Sequence, residues 1–301
     1  MSLNSIWATL EKSFEELDEV VSPAIVKFAN EMNLPSGWGT WAIAIVLFPF
    51  EPISAAGYMK IFPYGLVEVI DARFATAAQE GYLISEGGEY RATEKGETIA
   101  LQVLQAATDA VVHLQPIPPA KFQRLIDYLA KLSDASFAAS EPPPKFSLSH
   151  YRNYKRTFAS DAPLSRLFIH YFKELDFYRM DSHMAAWRVH NIEGNRWEVF
   201  SEVWGGKNNT LDKIFDELGF RGITRDEYAS ILQELVAHGW IEENAGVFQA
   251  TSEGKRIREE AEALTDKYFF APWSSLNESE LDELASLAGQ LRDGLQASQS
   301  N

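Results

Sequence analysis

The residues best equipped for chemistry fall in one stretch, "MDSHMAAWRVHN", Met180 to Asn191. Imidazoles and a carboxylate at the right spacing hold first-row metals. His183 and His190 lie seven residues apart, on one face if the stretch is helical. Two helical turns is about 10 Å, too far for both to ligate one ion. The position that would give a close pair, four after His183, is Trp187. The chain of 301 residues has no cysteine, so no thiolate supports a metal there. No metal is assigned. Asp181 or Ser182 is expected to cap a helix, and the histidines to be surface or hydrogen-bonded core groups. Glutamate pairs such as Glu15-Glu16 and Glu259-Glu260 read as solvated helix faces, not as a carboxylate dyad. There is no G-x-S-x-G, H-E-x-x-H, P-loop or glycine-rich dinucleotide turn. No catalytic residue and no cofactor is assigned, and the chain is read as not an enzyme.

Architecture is more legible. A length of 301 residues suits about two domains, and 46% hydrophobic residues suffice for packed cores. No apolar run reaches membrane-spanning length, and the first thirty residues lack the pattern of a signal peptide. A cytoplasmic protein without membrane contact is expected. "GYLISEGGEYRATEKG", Gly81 to Gly96, reads as two short strands around Gly87-Gly88, with Thr93 capping the next helix. It has a partner, "GWIEENAGVFQATSEG", Gly239 to Gly254. Gly81, Thr93 and Gly96 fall on Gly239, Thr251 and Gly254 at a constant offset of 158 residues. The offset holds upstream, where Asn33 meets Asn191 and Phe62 meets Phe220. Downstream it slips by one residue, where Phe122, Leu125 and Leu132 match Leu281, Leu284 and Leu291. The spacing predicts a domain repeated once, over 1–132 and 162–301. Residues 133–161, with Pro142-Pro143-Pro144 and the basic "HYRNYKR", read as a solvated linker.

Within the first copy, apolar spacing predicts a helix over 6–32, bent or divided at Pro23. A buried helix follows over 38–48, then a short one over 54–61. The next runs from Leu66 to Gly81, which stops it. The hairpin and two long helices complete the copy. In the second copy Trp197 to Trp204 is the buried helix, and Thr224 with Glu227 forms a capping box.

This order resembles the MarR-like winged-helix proteins, with "YRATEKG" resembling that family's junction between wing and helix. The resemblance covers nearly all of both copies. It implies a mainly α fold with small β-wings: two winged-helix copies forming a pseudo-two-fold monomer in one chain. It also implies a transcription-regulator type protein, DNA as a partner, and a small aromatic ligand where the long helices meet a winged lobe.

Charge opposes the DNA part. The formal net charge is −16, distributed as −7 over 1–132, +2 over 133–180 and −11 over 181–301. Binding to phosphates draws its affinity from lysine and arginine. Each helix in the recognition position is net −2, and both wings are acidic. The bases that could touch phosphate are Lys60, Arg73, Arg91, Arg221 and Arg225. The aromatic residues that could line a ligand pocket are Trp38, Trp41 and Tyr58 in the first copy. In the second they are Trp187, Trp197 and Trp204. Clustered bases across helices and wings would favour DNA. Acidic faces there would favour a module that binds a small ligand or a protein.

Overall fold

The computed structural model describes residues 2–142, 145–157 and 162–299, without the side chains of Arg156 and Gln299. Pro143, Pro144, the linker's end over 158–161 and the Arg156 side chain therefore lie outside the described residues.

The chain is mainly helical, with two small antiparallel hairpins. The first half runs α1 (Leu3–Glu31), α2 (Trp38–Leu47), α3 (Ala55–Ile61) and α4 (Val67–Gln79). The hairpin β1 (Leu83–Glu86) and β2 (Glu89–Ala92) follows, then α5 (Glu94–Val111) and α6 (Pro119–Ala138). After α7 (Phe146–Tyr151) and a 3-10 turn over Arg152–Thr157, the second half repeats this order. It comprises α8 (Leu164–Trp187), α9 (Gly194–Gly205), α10 (Leu211–Leu218) and α11 (Arg225–Ala237). The hairpin β3 (Ile241–Asn244) and β4 (Val247–Ala250), α12 (Ser252–Phe270) and α13 (Glu278–Gln299) complete it.

The constant offset is visible in the backbone. The strands and α4 begin and end 158 residues before their counterparts. Asn33 and Asn191 are both left-handed, at φ of 50° and 51°. Thr93 accepts from the Gly96 amide, and Thr251 from that of Gly254, each at 3.0 Å. A Cβ on Gly96 would lie 2.1 Å from the Tyr82 carbonyl, and one on Gly254 2.0 Å from that of Trp240. Only glycine lets each helix start so close to its hairpin.

The long helices cross between halves. α1 packs on α13, and α8 on α6. Their shared core includes Leu10, Leu125, Leu132, Leu175, Leu284 and Leu291, with Trp7 stacked on Phe172 at 5.0 Å. Each hairpin has its own core beside it, around Phe74 in one half and Tyr228 in the other. The capping box of Thr224 and Glu227 is present.

Pro23 lies inside α1 without dividing it, so of the two expected outcomes, a bend or a division, division does not occur. One expectation needs correction: the described residues of 133–161 do not form a solvated linker. α6 continues to Ala138, and Ser133 and Ser136 are buried. Leu148, Tyr151 and Tyr154 turn inward. Two of the described bases are engaged by protein: Arg152 pairs with Asp134 at 2.5 Å, and Lys155 meets the Tyr171 hydroxyl. Alternating aromatic and basic residues hid a one-sided strap whose apolar face is covered.

Candidate functional site

Two helical stripes face each other across the first half. On α1 the stripe is Phe14, Asp18, Val21 and Ile25; on α8 it is Arg166, Ile169, Lys173, Phe177 and Met180. Residues three or four apart share a helix face, so each stripe forms a wall. Ile43 of α2, Phe62, and Leu104 and Ala107 of α5 add apolar surface, and the strap contributes Tyr151 and Tyr154. Together they line a part-open cavity of about 310 Å³. That is the lower end of the range for small-molecule sites.

The polar groups of this cavity sit among aromatic rings. Arg166 is 6% exposed, and its Nη1 donates to the Tyr154 hydroxyl at 2.9 Å. Lys173 pairs with Asp176 at 2.6 Å and lies 5.1 Å from the Phe14 ring centroid. Asp18 accepts from the Ser22 hydroxyl. Burial pushes the Tyr151 phenol well above its ordinary range, and raises that of Tyr154 although Arg166 opposes the shift. Both phenols are therefore neutral at physiological pH; the Tyr154 hydroxyl accepts from Arg166, and both rings offer their faces. The site suits an apolar body with a few polar anchors.

The six aromatic residues expected to line a pocket do not gather here. Trp41 is buried against Tyr82, ring centroids 4.5 Å apart. Tyr58 packs edge-on to Phe74, and burial raises its phenol to about 12. Trp38 borders the same core. Trp187 and Trp197 stack at 5.8 Å in the second half's core. Trp204 is half exposed, with the Arg258 guanidinium 4.9 Å from its ring centroid. Of the six, Trp187 lines a cleft, one of about 520 Å³ between the halves that Met59, Leu66 and Arg188 also border. Aromatic content marked cores, while the cavity is marked by helical spacing. The stripes at 14, 18, 21, 25 and 166, 169, 173, 177, 180 were the signal that sequence reasoning passed over.

The histidines of this stretch are engaged within the fold. His183 uses both ring nitrogens, Nδ1 with the Thr265 hydroxyl at 3.1 Å and Nε2 with the Trp197 indole N–H at 3.0 Å. Desolvation, then the Arg258 charge, lowers its pKa to about 4. His190 stacks on Trp197. Asp181 caps a helix, but not its own. It sits inside α8, and its carboxylate accepts from the Ser147 and Leu148 amides at the start of α7. Burial raises that carboxyl to about 6 against the pull of those bonds. Among the described residues no group of three or more His, Asp or Glu is arranged to hold a metal.

The bases expected to touch phosphate are scattered and engaged. Arg73 donates to Thr40 at 3.1 Å and to the Phe220 carbonyl at 2.8 Å, joining the two halves. Arg221 pairs with Glu198 at 2.6 Å, and its guanidinium lies over the Tyr64 ring. Arg225 pairs with Asp212 at 2.6 Å, and Arg91 with Glu86 at 3.2 Å. The Lys60 ammonium lies over Phe146. Lys95, a further base of the first half, donates to the Glu80 carbonyl.

Residues 159–300 match a helix-turn-helix family. The second half contains a helix-turn-helix domain. No curated protein and no solved structure matches the chain. In this helix-turn-helix domain α11 follows α10 and a tight 3-10 turn over Gly219–Arg221, closed by left-handed Gly222. The exposed charges of α11 are Arg225, already paired, and the acids Asp226 and Glu227. On α4 the exposed charges are Glu68 and Asp71, with Glu80 exposed at its C-terminal cap. No helix among the described residues is long and apolar enough to cross a membrane.

Proposed function

We propose that the chain is a MarR-like winged-helix protein, duplicated within one polypeptide, that binds one small apolar or aromatic ligand. In this reading it is a pseudo-two-fold monomer with no catalysis of its own. The cavity of about 310 Å³ between α1, α5, α8 and the strap carries the reading. It lies where the long helices meet the first lobe. Arg166, Lys173 and the two tyrosines supply its polar anchors, and its aromatic rings suit a flat ligand.

In the same reading the protein has given up DNA. The face a recognition helix would offer is acidic on α4, and acidic or internally neutralised on α11. Separating Arg91, Arg221 or Arg225 from its carboxylate would forfeit an ion pair before any phosphate is gained. α4 is also held against the second half, where a Cβ on Gly222 would approach Val69 to 2.7 Å. A second reading, a DNA-binding regulator, draws on the match to a helix-turn-helix family.

Two measurements separate these. A thermal-shift panel of small aromatic and aliphatic acids, phenylbutyrate among them, should raise the melting temperature of the native chain. Ala107→Trp, which fills the cavity, should remove the shift. No shift with any acid would sink the ligand reading. A mobility shift at low salt should show no retardation of genomic fragments; retardation would restore the regulator reading.

A further inference from the structure

We propose that the strap, residues 145–157, couples the cavity to the first hairpin, so that an occupied cavity steadies β2. The proposal rests on the cavity being a ligand site.

The strap has two working faces. Inward, Tyr151 and Tyr154 form part of the cavity wall, their rings 5.2 Å apart and the first stacked on Phe177 at 4.4 Å. Toward the first lobe, the Asn153 side-chain amide donates to the Leu47 carbonyl at 2.9 Å, at the end of α2. His150 Nε2 meets the Glu51 carboxylate at 2.8 Å. The segment held by these bonds ends at Ile53. That residue exchanges two backbone hydrogen bonds with Tyr90 of β2, at 2.7 and 2.8 Å. A continuous path of contacts therefore runs from the cavity wall through Asn153 and residues 47–53 into the hairpin.

The second half provides the contrast. Its loop makes one matching bond, from the Phe248 amide of β4 to the Asn209 carbonyl at 2.8 Å. Among the described residues no strap side chain bonds to that loop. One hairpin is thus linked to a cavity and the other is not. Coupling needs an element that both sites bias. The strap fits, because side-chain bonds such as those of Asn153, His150 and Asp181 secure it to the lobe and to α8. A ligand packed against the two tyrosines adds to the cost of lifting it.

Amide hydrogen exchange on the full chain tests this, with phenylbutyrate as the probe. Saturating probe should slow exchange at the Ile53 and Tyr90 amides and leave β3 and β4 unchanged. Asn153→Ala alone should speed exchange at Ile53 and Tyr90 about fivefold, the loss of one hydrogen bond, and abolish the effect of the probe. Unchanged exchange at β3 and β4 in the variant shows that the fold is intact. If Asn153→Ala leaves Ile53 and Tyr90 as in the native chain, the coupling is wrong even where the probe binds. If the probe fails to bind the native chain, the ligand reading falls. The variant alone then decides whether the strap steadies the hairpin.

Discussion

The two halves are built to one plan, yet where the first has a cavity the second has a web of ion pairs. By the constant offset, Val21, Ile25, Leu104 and Ala107 fall on Arg179, His183, Glu262 and Thr265. These four form a connected set. Arg179 reaches Asp266 at 3.0 Å and Glu262 at 3.7 Å, and His183 bonds to Thr265 at 3.1 Å. Arg258, which falls on Ala100, pairs with Glu262 and lies over the Trp197 and Trp204 rings. The helices are shared, so side-chain chemistry, together with the strap that lines the first site, decides whether the space stays open. Long charged side chains that satisfy one another fill it. Short and branched apolar ones leave room.

Exchanging single members of the two sets should break this contrast, with the largest effect in the first half. Leu104→Glu puts a carboxylate into an apolar wall whose counterparts of Arg179 and Arg258 are Val21 and Ala100. Leu104 is half-buried, and the bases of the cavity, Arg166 and Lys173, are already held by Tyr154 and Asp176, so the added carboxylate costs about 2–3 kcal/mol. Urea unfolding should show that loss, and phenylbutyrate binding should vanish with it. The reverse exchange, Glu262→Leu, leaves Arg179 its Asp266 but takes from Arg258, 9% exposed, its Glu262 partner, so it should cost about 2 kcal/mol while phenylbutyrate binding survives. Binding lost in Glu262→Leu, or kept in Leu104→Glu, would mean that the sites do not differ as described.

The web also makes the second half sensitive to acid. The folded pKa of His183 is lowered to about 4, chiefly by burial and then by Arg258. The unfolded chain therefore binds this proton more readily. Stability from His183 is complete above the ordinary imidazole range and is lost as pH falls toward the folded value. The cost reaches about 2 kcal/mol at about pH 5. Asp181 works in the opposite sense, because burial raises its carboxyl to about 6 and acid relieves it. That contribution is common to the native chain and His183→Gln, so it cancels between them. The stability advantage of the native chain over His183→Gln should be greatest near pH 7 and shrink by up to about 2 kcal/mol at pH 5. A difference that does not change with pH would show that His183 is not held neutral. Ile25, its counterpart, has nothing to titrate.

What could be read in advance follows from how local each signal is. Thr93, Thr251, Gly96 and Gly254 announce a hairpin joined to a helix because capping and close approach are decided within a few residues. Asn33 and Asn191 share a conformation for the same reason. The cavity was harder to see. Its walls come from α1, α2, α5, α8 and the strap, and no short window contains them. Tryptophans drew attention instead, and large rings mark whatever is packed most tightly. The strap misled for a related reason, since the direction of Tyr151 and Tyr154 is set by α8. The ion pairs of Arg91 and Arg225 depend on partners five and thirteen residues away, across a turn or between helices. The acidic composition makes carboxylates plentiful, but does not say which of them each arginine meets.

The smallest expected effect concerns those two arginines, and it bears on whether the halves differ in their capacity for DNA. Arg91 with Glu86 and Arg225 with Asp212 are exposed pairs, one in each half. Such pairs contribute about 0–1 kcal/mol, because solvent screens them and holding two long side chains costs entropy. Arg91→Ala and Arg225→Ala should each change stability by less than about 0.5 kcal/mol in urea unfolding. Since neither base is expected to meet phosphate, neither substitution should alter migration of DNA fragments at low salt. If Arg225→Ala abolished a retardation that Arg91→Ala left intact, the helix-turn-helix domain of the second half would be the DNA reader. The contrast between the halves would then be a division of labour, with the ligand held in one and DNA read by the other.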